Sequence, residues 1–83
     1  MAEFNKTITL AITGASGAQY ALRLLECLLA ADCRVYLLLS SAAEVVIATE
    51  TELKLPKGLA AQQNFLAEKY SAKAEQLTLF ARD

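Results

Sequence analysis

The sequence predicts an α/β domain built on a parallel sheet, and three observations carry that prediction. Two apolar runs rich in β-branched or aliphatic residues, Thr7–Thr13 and Arg34–Leu39, have the character of buried strands. Between them, Ala21, Leu22, Leu25, Leu28 and Leu29 recur at helical spacing within Ala18–Ala30, while Arg23 and Glu26 fall elsewhere on the wheel. A loop of small residues, Thr13-Gly14-Ala15-Ser16-Gly17-Ala18, joins the first strand to that helix. Strand, helix and strand in this order form a βαβ unit, whose crossover is right-handed and whose strands are parallel.

The remaining elements follow in order. Ala31-Asp32 ends the first helix. A second helix starts after Ser40-Ser41 and runs through AAEVVIAT to about Glu50. Leu53–Gly58 is a loop, punctuated by Pro56 and Gly58. Leu59 to about Ala74, rich in Ala, Gln, Glu and Lys, reads as a polar, partly exposed helix, and Leu77–Phe80 as a short extended segment. Two parallel strands leave open edges, and such a sheet needs more strands and helices over both faces. Residues 1–83 are therefore expected to be the N-terminal portion of a single larger domain.

Composition narrows the function. In 83 residues a hydrophobic fraction of 55% is high, and predicts apolar surface destined for the rest of a longer chain or for partner subunits. With 8 basic and 9 acidic residues, a net charge of -1 and no charge run, there is no electrostatic footprint for nucleic acid or an anionic membrane. The absence of His removes the commonest general base and metal ligand, and no metal is expected. Cys27 and Cys33, six apart, make neither a disulfide framework nor a zinc site; they read as reduced, buried, structural thiols. The N-terminal segment lacks signal-peptide form, and no run reaches the roughly 18 apolar residues of a membrane span. A cytoplasmic location is expected.

The small-residue loop is the functional candidate. Glycine lets backbone N–H groups approach a ligand, and the following helix start offers unpaired donors at the positive end of its dipole. The loop lacks the lysine of a GxxxxGK[ST] phosphate loop and the alternate glycines of GxGxxG. The looser TGxxGxxG pattern matches at Thr13, Gly14 and Gly17 but meets Tyr20 where a third glycine belongs. After the second strand stand Ser40-Ser41 rather than the acid that holds a ribose diol, which favours a mononucleotide over a dinucleotide. The serines also have a structural use. Ser16 with Gln19 and Ser41 with Glu44 fit helix capping boxes, leaving Ser40 for ligand contact. Arg23, Glu26, Glu44 and Glu50 read as solvated helix faces, and Tyr20 and Tyr36 as packing residues.

The runs ITGASGAQYALRLLECL and VYLLLSSAAEVVIATE resemble the N-terminal part of the flavin prenyltransferases, the UbiX-like proteins, over roughly residues 7–52. The terminal FARD is similar to the segment that leads into that family's next flavin-binding loop. The resemblance implies a Rossmann-like or flavodoxin-like three-layer α/β/α domain, of which this chain holds the βαβα portion. It implies a homo-oligomer, usually a dodecamer of trimers, with FMN bound between subunits. It implies transfer of a dimethylallyl group from dimethylallyl phosphate to N5 and C6 of reduced FMN. The prenylated FMN then serves a UbiD-type decarboxylase in ubiquinone or aromatic-acid metabolism. Carried over by position, Gly14, Ala15 and Ser16 match the first FMN-contacting loop and Ser40 the FMN-contacting serine after the second strand. Ser16 is also the candidate catalytic residue, a polar contact near the reacting flavin edge. Ser41 departs from the Lys that many members carry. The second FMN loop and the residues that handle the prenyl phosphate lie later in the family, so the 83 residues alone are expected to be inactive.

Three other classes stay open on the sequence. One is an FMN-binding decarboxylase of the phosphopantothenoylcysteine type, opposed by the missing His. Another is an NAD(P)-binding reductase, opposed by Tyr20 and the missing acid. The third is a non-catalytic assembly module.

Overall fold

Strands and helices alternate along the chain in the computed structural model, which describes residues 4–13, 17–51 and 53–82. The order is β1 (Thr7–Ile12), α1 (Ala18–Ala30), β2 (Arg34–Ser40), α2 (Ser41–Glu50), α3 (Leu59–Lys69) and β3 (Leu77–Arg82). The strands form one parallel sheet in the order β1-β2-β3. Thr7 pairs with Arg34 and Ile12 with Leu39, while Val35 pairs with Leu77 and Ser40 with Arg82. The expected Leu77–Phe80 segment is thus a full strand, two residues longer and hydrogen-bonded to the centre of the sheet.

Alternation along β2 decides where the core lies. Val35, Leu37 and Leu39 are buried, and Arg34, Tyr36, Leu38 and Ser40 only partly so. The buried set shares one cluster with Ile12, Leu77 and Leu79, with Leu22, Leu25 and Leu29 of α1, Ala43 and Ile47 of α2, and Leu66 of α3. All three helices therefore cover the same face. Right-handed crossovers require this when successive strands add in one direction. Two of the three expected layers are present among the described residues, and the second sheet face presents Tyr36, Leu38 and Phe80.

The helix ends have identifiable causes. Asp32 adopts a left-handed φ of 65° after α1; its N–H donates to Leu29 O, and Cys33 N–H donates to Leu28 O. This is a Schellman stop, with Asp in the place usually given to glycine. The same device ends α3 early. Ser71 takes φ 57°, its N–H reaches Glu68 O, and Ala72 N–H reaches Ala67 O at 2.8 Å. The helix expected to about Ala74 thus stops at Lys69, and Tyr70 and Ala72 fold back against the core.

Buried amides hold the layers together. The side chain of Gln76, only 1% exposed, donates to Leu29 O at 3.0 Å and Cys33 O at 2.8 Å and accepts from Lys73 N at 2.9 Å. It fixes the entry to β3 against the end of α1. Gln62, also buried, donates to Glu44 Oε1 and Pro56 O, joining α3 to α2 and the intervening loop. Glu44 is thus a partner in a half-buried contact and not the solvated group expected. Gln76→Leu leaves two carbonyls and one N–H without their partner in a dry site; the expected loss is about 2–3 kcal/mol of stability. Urea unfolding of the variant beside the parent checks this, and a loss below roughly 0.5 kcal/mol contradicts the role.

Candidate functional site at the carboxyl edge of the sheet

Aligned register brings all three strand exits to one edge. Ile12 lies beside Leu39, and Ser40 beside Arg82. The glycine loop leaves β1 there, α2 leaves β2 directly, and β3 ends there. In open parallel sheets ligands bind outside this edge, where helix N-termini converge.

Gly17 is the N-cap of α1, at φ 101° and ψ 21°. A Cβ there would meet nothing within 4 Å, so glycine is required by the backbone conformation and not by crowding. No side chain caps this helix through Gly17. Instead Gly17 N–H donates to Glu50 Oε1 at 3.3 Å, and Gln19 Nε2 donates to Glu50 O at 2.7 Å. The C-terminus of α2 is therefore tied to the N-terminus of α1. Glu50 sits at the helix end that favours negative charge, and it is the residue that reading along the chain missed. At the end of α2, 33 positions from Gly17, it carries no local signal; only the packing of α2 against α1 makes it a neighbour of the loop.

Ser40 stands at the end of β2 as predicted, but with a second duty. Its backbone is extended, and its Oγ accepts from Ala43 N at 3.0 Å. Ser40, not Ser41, is the N-cap of α2; Ser41 is the first helical residue. The cap is therefore shifted by one, because β2 stays extended through Ser40, and with Ala43 as the third helical residue no side chain reaches back to complete the expected capping box. Since a hydroxyl is both acceptor and donor, Ser40 O–H remains able to donate outward from the sheet edge. Gly14, Ala15 and Ser16 lie outside the described residues, and with them the expected Ser16 cap.

Below the edge, a groove of about 990 Å³ runs between α1 and the ends of α2 and α3, lined by Gln19, Arg23, Glu26, Glu50, Lys69 and Tyr70 among others. Burial, and then the nearby Glu26 carboxylate, push the Tyr70 phenol above its ordinary value. Tyr20, expected to pack, is 78% exposed on the outer side of α1, and Cys27 is exposed on the same helix; only Cys33 is buried. Tyr36 does pack, edge to face with Phe80 at 5.8 Å between centroids. Among the described residues no group of His, Cys, Asp or Glu is placed to hold a metal ion, and no helix is long and apolar enough to cross a membrane.

The described residues bring together at one edge a positive-φ glycine and helix start after β1 and the capping hydroxyl of Ser40 after β2. The chain is 51% identical over 76 residues to the flavin prenyltransferase UbiX of Pseudomonas aeruginosa, a match covering 92% of this chain and 36% of that protein. The chain thus spans about a third of the length of the curated relative it matches. The family described as Flavoprotein matches residues 2–81, nearly the whole sequence, and the chain belongs to that family.

Proposed function

We propose that the chain is the N-terminal part of a flavin prenyltransferase and supplies one wall of its FMN site. In the whole protein the reaction is transfer of a dimethylallyl group from dimethylallyl phosphate to reduced FMN. One bond to the flavin would form as the allylic C–O bond breaks and phosphate leaves, with loss of the N–H proton; the second would consume the alkene, which takes up a proton as the ring carbon gives one up. The observation that carries this reading is the 51% identity to a flavin prenyltransferase across 92% of the chain.

The residues present fit a flavin mononucleotide. The start of α1 turns its backbone N–H groups toward this edge, with Gly17 N–H already taken by Glu50 Oε1. Gly14, Ala15 and Ser16 follow β1 in sequence and are assigned to the flavin-contacting loop, with Ser16 as the polar group nearest the reacting edge. Ser40 holds its outward O–H in place through the bond its Oγ accepts from Ala43 N. FMN, when bound, supplies the nucleophilic positions for alkylation. Glu50, whose carboxylate accepts from Gly17 N–H and whose backbone carbonyl accepts from Gln19, is the acidic group beside the loop. Departure of phosphate needs cationic anchoring, which the family resemblance assigns to residues later than these, so the 83 residues alone are expected to be inactive. Assembly of copies around FMN and delivery of prenylated FMN to a UbiD-type decarboxylase, in the cytoplasm, complete the proposal.

The protein from its full natural reading frame, given reduced FMN and dimethylallyl phosphate without oxygen, is expected to yield a flavin heavier by one prenyl unit in mass spectra. Recovery of unmodified FMN alone overturns the reading. Two variants separate roles at the edge. Ser40→Ala is expected to lose about 1 kcal/mol of stability with the cap, and Ser40→Asp to retain it, since Asp also caps. Both are expected to weaken FMN binding at least tenfold in fluorescence titration; unchanged binding by both removes Ser40 from the site.

A further inference from the structure

A dinucleotide bound at the carboxyl edge of a parallel sheet takes two places. Its pyrophosphate passes over the start of the first helix, and its second ribose lies at the end of the neighbouring strand. In this chain both places are filled from within. β2 runs into α2 without a loop, Ser40 being the last residue of the one and the cap of the other. From there α2 carries the chain, over ten residues or about 15 Å of helix, to the start of α1. There the Glu50 carboxylate accepts from Gly17 N–H at 3.3 Å.

The last turn of α2 is fixed on both sides. Gln19, in the first turn of α1, donates from Nε2 to Glu50 O at 2.7 Å. Beyond Glu50, Thr51 N–H and Thr51 Oγ1 both donate to Ile47 O, at 3.0 and 2.6 Å, and Thr51 Oγ1 accepts from Leu53 N at 3.1 Å. Ile47 is itself buried in the core. The side chain of Gln19 thus ties a well-seated helix end across to α1. That tie matters to a ligand because of the charge it holds in place. A pyrophosphate brought to this helix start would lose the Gly17 donor and face a carboxylate, an opposition of like charge in a cleft.

We propose that Gln19 is a specificity-determining residue: by holding the Glu50 carboxylate at the start of α1 it closes the edge to dinucleotides and leaves it open to a mononucleotide. The inference rests on the reading of this edge as a flavin site. Ser40-Ser41 after β2 only withholds the acid that a second ribose would use, whereas the tie between Gln19 and Glu50 is an obstacle to the wrong ligand. FAD isolates the effect, because it contains the whole of FMN and differs by the added adenylate.

The test is calorimetric titration of the flavin-free protein, from its full natural reading frame, with FMN and with FAD. The parent is expected to bind FMN roughly 100-fold more tightly than FAD. Gln19→Ala releases the last turn of α2. Glu50→Gln removes the charge while keeping an acceptor for Gly17 and the backbone carbonyl for Gln19. Each is expected to cut the ratio of the two affinities about tenfold. A purely structural role would weaken both flavins together and leave the ratio where it was. A ratio unmoved by Gln19→Ala, or by Glu50→Gln where the first variant does not fold, overturns the inference. So does a parent that binds the two flavins alike, and in both cases the functional reading stands. A parent that binds neither flavin overturns the functional reading and this inference with it.

Discussion

Parallel pairing of β1 and β3 on β2, with the three exits level, is the constraint on which the rest depends. Because Ile12 lies beside Leu39 and Ser40 beside Arg82, the glycine loop, the start of α2 and the end of β3 share one edge. A shift of one residue in β2 would turn Val35, Leu37 and Leu39 out of the core and Arg34, Tyr36 and Leu38 into it. Burial of those aliphatic side chains under three helices therefore fixes register, and register fixes the site. Gln76 adds a polar lock at the opposite end, where the same strands begin.

The groups of the proposed site each have a structural use as well. Ser40 caps α2 and faces the edge. Glu50 closes α2, anchors the start of α1 and places a carboxylate at a helix N-terminus. Gly17 provides the positive-φ turn through which the loop enters α1. Such sharing is economical in a small unit, and it makes stability and ligand binding move together on mutation. Substitutions that preserve the cap or the acceptor are therefore more informative than truncation to alanine.

Much of this was legible along the chain because the signals are local. The aliphatic strands, the leucine spacing of α1 and the small-residue loop each specify an element within a few residues. The stop at Asp32 was read where it stands, but the αL stop at Ser71, which is not glycine, was missed and moved the end of α3 from Ala74 to Lys69. The cap of α2 was misplaced by one because adjacent serines offer the same chemistry and only the length of β2 chooses between them. Glu50, Gln62 and Gln76 act across 18 to 47 residues of sequence, through contacts no spacing rule encodes. The exposure of Tyr20 and Cys27 likewise follows from which side of α1 meets the sheet.

The central claim is that this carboxyl edge is part of a flavin site, and native mass spectrometry of the protein from its full natural reading frame tests it most directly. A species retaining the mass of FMN per subunit, lost on denaturation, is expected. A folded protein that stays flavin-free after incubation with excess FMN would contradict the claim and leave the loop after β1 as a helix-entry turn.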